Sequence, residues 1–203
     1  MSTKTVGISP VTITLEYSDG DVSGLDEATL VLDWWTGSSV TGGKTISASA
    51  PLEVLPLYLA EGGIVPLLRP TIDSMSPTTK PGTAAGEVDS YATTPGVLWA
   101  RVAPGPATSF LLFDGSELSQ DDKGSELSLG YRDGSEFTQG AVFEILGFGA
   151  APKSVSDGGS ALAMAADLSA LEAVPSGWAF SSENGGTLWV KVAAGTHAAT
   201  VTR

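Results

Sequence analysis

Cysteine is absent from the 203 residues. That excludes disulfides, thiolate catalysis and Cys-ligated zinc or iron–sulfur sites. Basic residues are scarce: ten Lys and Arg stand against 23 Asp and Glu, a formal net charge of −13. A chain of that sign repels polyanions, so neither nucleic acid nor an anionic membrane surface is an expected partner. The single histidine, His197, has no G-x-S-x-G, H-E-x-x-H or Walker A pattern to serve. It reads as an ordinary surface residue of a terminal strand. No apolar run approaches the roughly 20 residues of a membrane span. The opening MSTKTVGISP has no signal-peptide core, so the expected location is the cytoplasm, or outside for a secreted parent whose signal is not in this sequence.

What the chain has in quantity is punctuation. Twenty-five glycines and twelve prolines separate short apolar runs, the composition of an all-β protein. VTITLEY (Val11–Tyr17) alternates with period two, as a half-buried strand does. Further strands are predicted over Ala28–Trp35, Lys44–Ser49, Val97–Ala103, Ser109–Phe113, Glu126–Arg132, Ala141–Phe148, Thr187–Ala193 and His197–Thr202. Asp114-Gly115, Asp133-Gly134 and Asp157-Gly158 separate or end several of them, as hairpin turns do. Near-copies of Gly-Ser-Glu-Leu/Phe begin at Gly115, Gly124 and Gly134 and read as repeated turn-into-strand chemistry. ALAMAADLSALEAV (161–174) is not β-branched and predicts one short helix, starting near Asp167 or Ser169. Residues 71–96, rich in Pro, Thr, Ser and Gly, read as a long loop between two antiparallel β-sandwich sub-domains, 1–70 and 97–203.

Candidate chemistry is thin. Carboxylates are numerous, yet no acid/base pair is singled out by spacing. Asp19 and Asp21, or Asp114, Asp121 and Asp122, could offer oxygens to calcium, although neither group has EF-hand spacing. The plainer reading is a solvated polar turn, so no cofactor is expected beyond that calcium option. The aromatic candidates are Trp34 and Trp35, whose adjacent rings point to opposite faces of a strand. Trp99 and Trp189 also qualify, since each lies mid-strand on the same face as a cation, Arg101 or Lys191. An indole that faces outward can stack on a sugar or be covered by a partner.

One ordered pattern is familiar. Asp33-Trp34-Trp35-Thr36-Gly37, Gly42-Gly43, the run from Ala50 to Tyr58, and Gly62-Gly63-Ile64-Val65-Pro66 resemble the C-terminal region of glycoside hydrolase family 31, the α-glucosidase and α-xylosidase family. Phe110 to Gly115 resembles a strand and turn of the same region. The resemblance implies a proximal-type sandwich over 1–70 and a distal-type sandwich over 97–203. It also implies that catalysis, which in that family uses aspartates on a (β/α)₈ barrel, matches no position here, since a barrel takes about 250 residues. The chain departs from the family pattern at Ala60-Glu61, where an Arg is usual. Tyr58, Ala60, Glu61, Gly62 and Gly63 are therefore read as a former packing seam, repolarised where it met water.

The expected protein is not an enzyme. It is a β-sandwich with a structural, adaptor or assembly role, with a carbohydrate-binding module for α-glucan or xylo-oligosaccharide as the alternative. A small independent glycosidase is the third and weakest reading. Partners would be a carbohydrate, a catalytic domain, or a second copy pairing at an exposed strand edge.

Overall fold

Alternating strands set the frame. In ELSLGYR, Leu127, Leu129 and Tyr131 are buried while Glu126, Ser128 and Arg132 are exposed, so one face meets a core and the other meets water. The computed structural model describes residues 11–14, 30–41, 45–48, 54–75, 89–93 and 95–203, and these are nearly all β. The early strands are β1 (Val11–Thr14), β2 (Leu30–Asp33), β3 (Ser39–Thr41), β4 (Thr45–Ala48), β5 (Tyr58–Ala60) and β6 (Ile64–Leu67). After the 71–96 connection come β7 (Leu98–Val102), β8 (Thr108–Leu111), β9 (Glu117–Asp122), β10 (Glu126–Arg132) and β11 (Ala141–Ile145). The chain ends with β12 (Ser154–Asp157), β13 (Ser160–Ala161), α1 (Leu168–Glu172), β14 (Gly177–Ser181), β15 (Thr187–Val192) and β16 (Thr196–Thr202).

Two sheets close on one core. The first has the order β13-β12-β16-β10-β9-β8 and the second β14-β15-β11-β7-β6. Leu118, Leu127, Leu129 and Val201 of the first meet Leu98, Phe143, Ile145 and Val190 of the second in a single apolar cluster. Burying that surface is the main stabilising contribution. A smaller sheet, β3-β2-β5, and a β1-β4 ladder lie outside this sandwich. Every pair of named strands is antiparallel except β7 with β11. The chain makes that parallel pair by crossing over through β8, β9 and β10 in the opposite sheet, as a parallel connection requires. β6 precedes residue 70, yet it forms the edge of the five-stranded sheet by pairing with β7. Pro66 is tolerated there because an edge strand has donors to spare.

The five-stranded sheet has a second, unusual face. Turned away from the core, its rows read Lys191, Val142, Trp99, Leu67 and then Trp189, Glu144, Arg101, Val65 across β15, β11, β7 and β6. Helix α1 covers the end of the first row, with the Lys191 ammonium donating to the Glu172 carbonyl (2.7 Å). The turn after β2 covers the end of the second row.

Some expectations change. The short helix expected from near Asp167 is α1, five residues long. Asp167 caps it by accepting from the Ala170 amide at 2.8 Å, the standard use of an N-cap acid. Residues 161–165 are not helical because their backbone is spent elsewhere: Leu162 donates to Val155, Ala165 to Trp178, and Ala163 accepts from Trp178. Cross-strand bonds outbid the local preference of Ala-rich sequence. β9 lies where a polar loop had been expected. Its inward residues are Leu118 and Gln120, and a buried Gln hides the alternation. Two Gly-Ser-Glu copies lead into strands, β9 and β10, while the third ends in a loop that buries Phe137. The turn expected at Ser18–Asp21, with Asp19 and Asp21, falls outside the described residues, as do Gly42-Gly43 and Ala50–Glu53.

Candidate functional site

Three of the four predicted indoles converge. Asp33 accepts from the Trp35 and Thr36 amides (2.9 and 2.8 Å) and from the Thr36 hydroxyl. That Asx-type turn swings Trp34 and Trp35 over the outer face of the five-stranded sheet. The turn ends at Gly37, whose φ is +67° and whose missing Cβ would lie 2.3 Å from the Asn184 carbonyl oxygen. Only glycine allows that approach. Across it, Asn184, Gly185 and Gly186 are all left-handed. The result is a cleft of about 180 Å³ lined by Trp34, Trp35, Arg101, Glu144, Asn184 and Trp189, with Ser181 and Glu183 on the same wall.

An ion pair forms its floor. The Arg101 guanidinium donates twice to Glu144 Oε2, both at 2.7 Å, and once to the Trp34 carbonyl at 2.9 Å. It also stacks on the Trp34 ring, 4.1 Å from the centroid, a cation–π geometry. The Trp35 side chain is 49% exposed, and its indole N–H is fixed by the Leu55 carbonyl (2.8 Å). The Trp189 indole N–H is closed off and has no acceptor. Trp99 is on the same sheet face but only 3% exposed, beside a cavity of about 60 Å³ shared with Arg69, Glu172 and Lys191. It faces away from the core as expected, yet offers no open ring.

The seam residues pack within the chain. Tyr58 and Ala60 pair with β2. The Gly62 amide donates to the Ala103 carbonyl (2.8 Å), the Gly63 carbonyl accepts from the Ala103 amide (3.0 Å), and the Gly62 carbonyl accepts from the Thr108 hydroxyl. Gly62 has φ +81° and its absent Cβ would meet the Pro106 carbonyl at 3.1 Å. Glu61 sits half-buried in that turn. The open apolar surface lies elsewhere, between the free edges β6 and β8. There Pro66, Leu67, Met75, Phe110, Leu111 and Phe113 line a groove of about 640 Å³ whose one carboxylate is Glu136. Leu111 is 67% and Phe113 88% exposed.

The calcium candidates have other occupations. Asp114 accepts from the Ser116 amide and hydroxyl and from the Glu136 and Phe137 amides (2.8–3.0 Å). Burial raises its pKa, but those donors outweigh it and hold the carboxyl at about 2. Asp122 makes a two-point pair with Arg203 (2.6 and 2.9 Å). Burial works against its ionised form, yet Arg203 keeps its pKa below the ordinary value. Asp121 pairs with Lys123 at 2.9 Å. Among the described residues no group of three metal-ligating side chains converges, and no helix is long and apolar enough to cross a membrane.

His197 corrects the surface reading. It lies in register with Tyr131 on the inward row of β16, and its Nδ1 meets Asp157 Oδ2 at 2.6 Å. Nε2 is 3.1 Å from the Ala194 carbonyl. Partial burial lowers its pKa, but the Ala194 and Asp157 contacts outweigh that and raise it above 6.5. With both nitrogens occupied and no nucleophile beside them, the pair is a strand-end clasp. Glu144, Asn184 and the groove belong to no pattern singled out in the sequence. A lone acid in the apolar strand AVFEI was the available signal for the first. For the groove it was FLLF, apolar at both parities of one strand.

No protein-family model matches the sequence, and no curated protein matches it significantly. Solved structures do match its fold. A cycloalternan-forming enzyme from Listeria monocytogenes, solved with a pentasaccharide substrate, aligns over 98% of this chain at 20% identity and TM-score 0.70, using 17% of its own length. The α-1,4-glucan lyase of Gracilariopsis lemaneiformis aligns over 95% at 15% identity and TM-score 0.59, using 20% of its length. The catalytic–regulatory complex of ER glucosidase II aligns over 100% at 14% identity and TM-score 0.51, using 22% of its chain. The chain therefore spans about a fifth of the structures it resembles. Its fold is that of a small β part of large enzymes.

Proposed function

We propose that these residues form a non-catalytic accessory module whose role is structural, and that it docks through the β6–β8 groove onto a larger folded polypeptide. The groove carries the reading. A surface with Leu111 mostly and Phe113 almost fully in water, and one carboxylate at its border in a chain of net charge −13, is costly unless covered. The fold likeness supports a large occupant, since in each structure compared it is a minor part of a much longer chain. Two free strand edges flank the groove, which allows main-chain as well as side-chain contact. The resemblance to glycoside hydrolase family 31 supplies the occupant, a (β/α)₈ barrel, and the groove takes the place of the Tyr58–Gly63 seam, which packs within the chain.

The test is a photo-activatable phenylalanine at position 113, with the same residue at exposed Thr196 as control, cross-linked in cells of the source organism. The expected product joins position 113 to a polypeptide carrying a barrel domain, in cis or in trans. Cross-links to a second copy alone, or none above the control, overturn the docking. Turnover of an aryl α-glucoside or α-xyloside by the purified chain overturns the non-catalytic reading.

A further inference from the structure

We infer that the cavity beside the end of helix α1, lined by Lys191, Arg69, Glu172, Trp99, Val97 and Val142, binds a small monocarboxylate of acetate's size. This does not rest on the docking reading, since the cavity shares no residue with the groove.

Charge selects the sign of the ligand. The Lys191 ammonium donates to the Glu172 carbonyl at 2.7 Å, a neutral acceptor that leaves its charge unpaired. Among the described residues no carboxylate stands within ion-pair distance of it, and that of Glu172 is held by Arg69 Nε at 2.9 Å. Val142 and Gly177, its register partners on the neighbouring strands, are uncharged. Burial accordingly holds the Lys191 pKa below 10.5, with Glu172 pulling the other way. A partly buried cation without a counter-ion is costly, and a bound anion supplies one.

Arg69 adds the second donor. Its Nη1 is 3.7 Å from Asp89, and among the described residues nothing engages Nη2. A carboxylate can take a planar guanidinium and an ammonium at once. The Arg69 and Glu172 side chains are 29% and 31% exposed, so the cavity opens to solvent beside them. Size and walls narrow the class further. The volume of about 60 Å³ has room for about four heavy atoms, at roughly 10–15 Å³ for each water-sized group. That admits acetate and excludes a phosphate ester or a sugar ring. Ile72, Val97, Val142 and the Trp99 ring form apolar walls, which contact a methyl group and leave a bare halide untouched.

The experiment follows the indole N–H resonances of the ¹⁵N-labelled chain by NMR while sodium acetate replaces sodium chloride at constant ionic strength. Acetamide, a neutral match in shape, is run alongside. The expected result is a saturable shift of the Trp99 resonance with a Kd in about the millimolar range and a still Trp35 resonance. Acetamide should give no saturable shift. Lys191→Met keeps the apolar stem and removes the charge, and it should weaken acetate binding about tenfold with the remaining spectrum unchanged. A second readout needs no variant. In the wild type, affinity should fall as the pH is raised from about 7 toward 10.5, because the Lys191 ammonium is lost on the way. No Trp99 shift up to about 100 mM acetate, a range that would detect even very weak binding, overturns the inference. So does an equal response to acetamide, undiminished binding in the Lys191→Met chain, or an affinity that stays flat across that pH range.

Discussion

The two outer faces of the sandwich carry the same chemical pair in opposite circumstances. On the six-stranded sheet Arg132 of β10 stands directly across from Glu117 of β9, their nearest atoms 3.0 Å apart, with side chains 50% and 45% exposed. On the five-stranded sheet Arg101 of β7 stands directly across from Glu144 of β11 at 2.7 Å, with side chains 14% and 11% exposed. The pleat of these strands turns all four side chains away from the core. It does not say which outer face stays wet. One face is left to solvent, where a cross-strand ion pair is screened and nearly neutral in energy. The other lies under Trp34 and the Asn184 turn, where each partner depends on the other.

The sharpest way to break the comparison is Arg101→Met. It leaves Glu144 without its cation and strips the Trp34 carbonyl and ring of a partner, at a cost of about 3 kcal/mol. For a chain of this length that lowers Tm by roughly 6–12 °C. Adding Glu144→Leu should recover most of the loss, because an apolar pair of similar volume is tolerated where a lone charge is not. If the double variant is no better than the single one, the cost lies in the lost Trp34 contacts. Calorimetry distinguishes the two.

Next in size is Asp114→Ala, with about 2 kcal/mol lost as four donors around the β8–β9 turn go unpaired. Its native pKa of about 2 lies below the ordinary 3.8. The stability it contributes is therefore present above pH 3.8 and declines as pH falls toward 2. Acid titration of the wild type against Asp114→Asn, followed by circular dichroism, should show the difference only in that window.

A smaller effect is expected at His197. Its folded pKa is raised above 6.5, so the Asp157 clasp contributes fully below 6.5 and fades as pH rises through the folded value. Urea midpoints taken from pH 5.5 to 8.5 should fall with pH in the wild type and flatten in His197→Gln. The smallest effect is Arg132→Met, below about 0.5 kcal/mol and erased by salt. Should it match Arg101→Met, exposure is not what separates the two pairs.

Much of the frame was legible in the sequence. Glu126–Arg132 is a strand with the predicted bounds, because neither its alternation nor its flanking turns depend on distant residues. Asp167 begins the helix for an equally local reason. β9 was not legible, since Gln120 looks like a loop residue until the Gly62 and Pro106 carbonyls and the Gly105 amide are found around it. Nor was the clasp of His197 with Asp157, forty residues apart. Of the indoles, sequence supplied Trp34, Trp35 and Trp189 as candidates, but it could not separate them from Trp99, whose pattern is the same.

The sequence by itself determined the β architecture, the turn positions and the acidic, cysteine-free chemistry, because these depend on period, local conformational preference and composition. Only the tertiary structure decided which outer face became a cleft, where the apolar groove opened and which acids found partners. Those outcomes depend on which segments, tens of residues apart, come to share a surface, and chain order alone does not encode that.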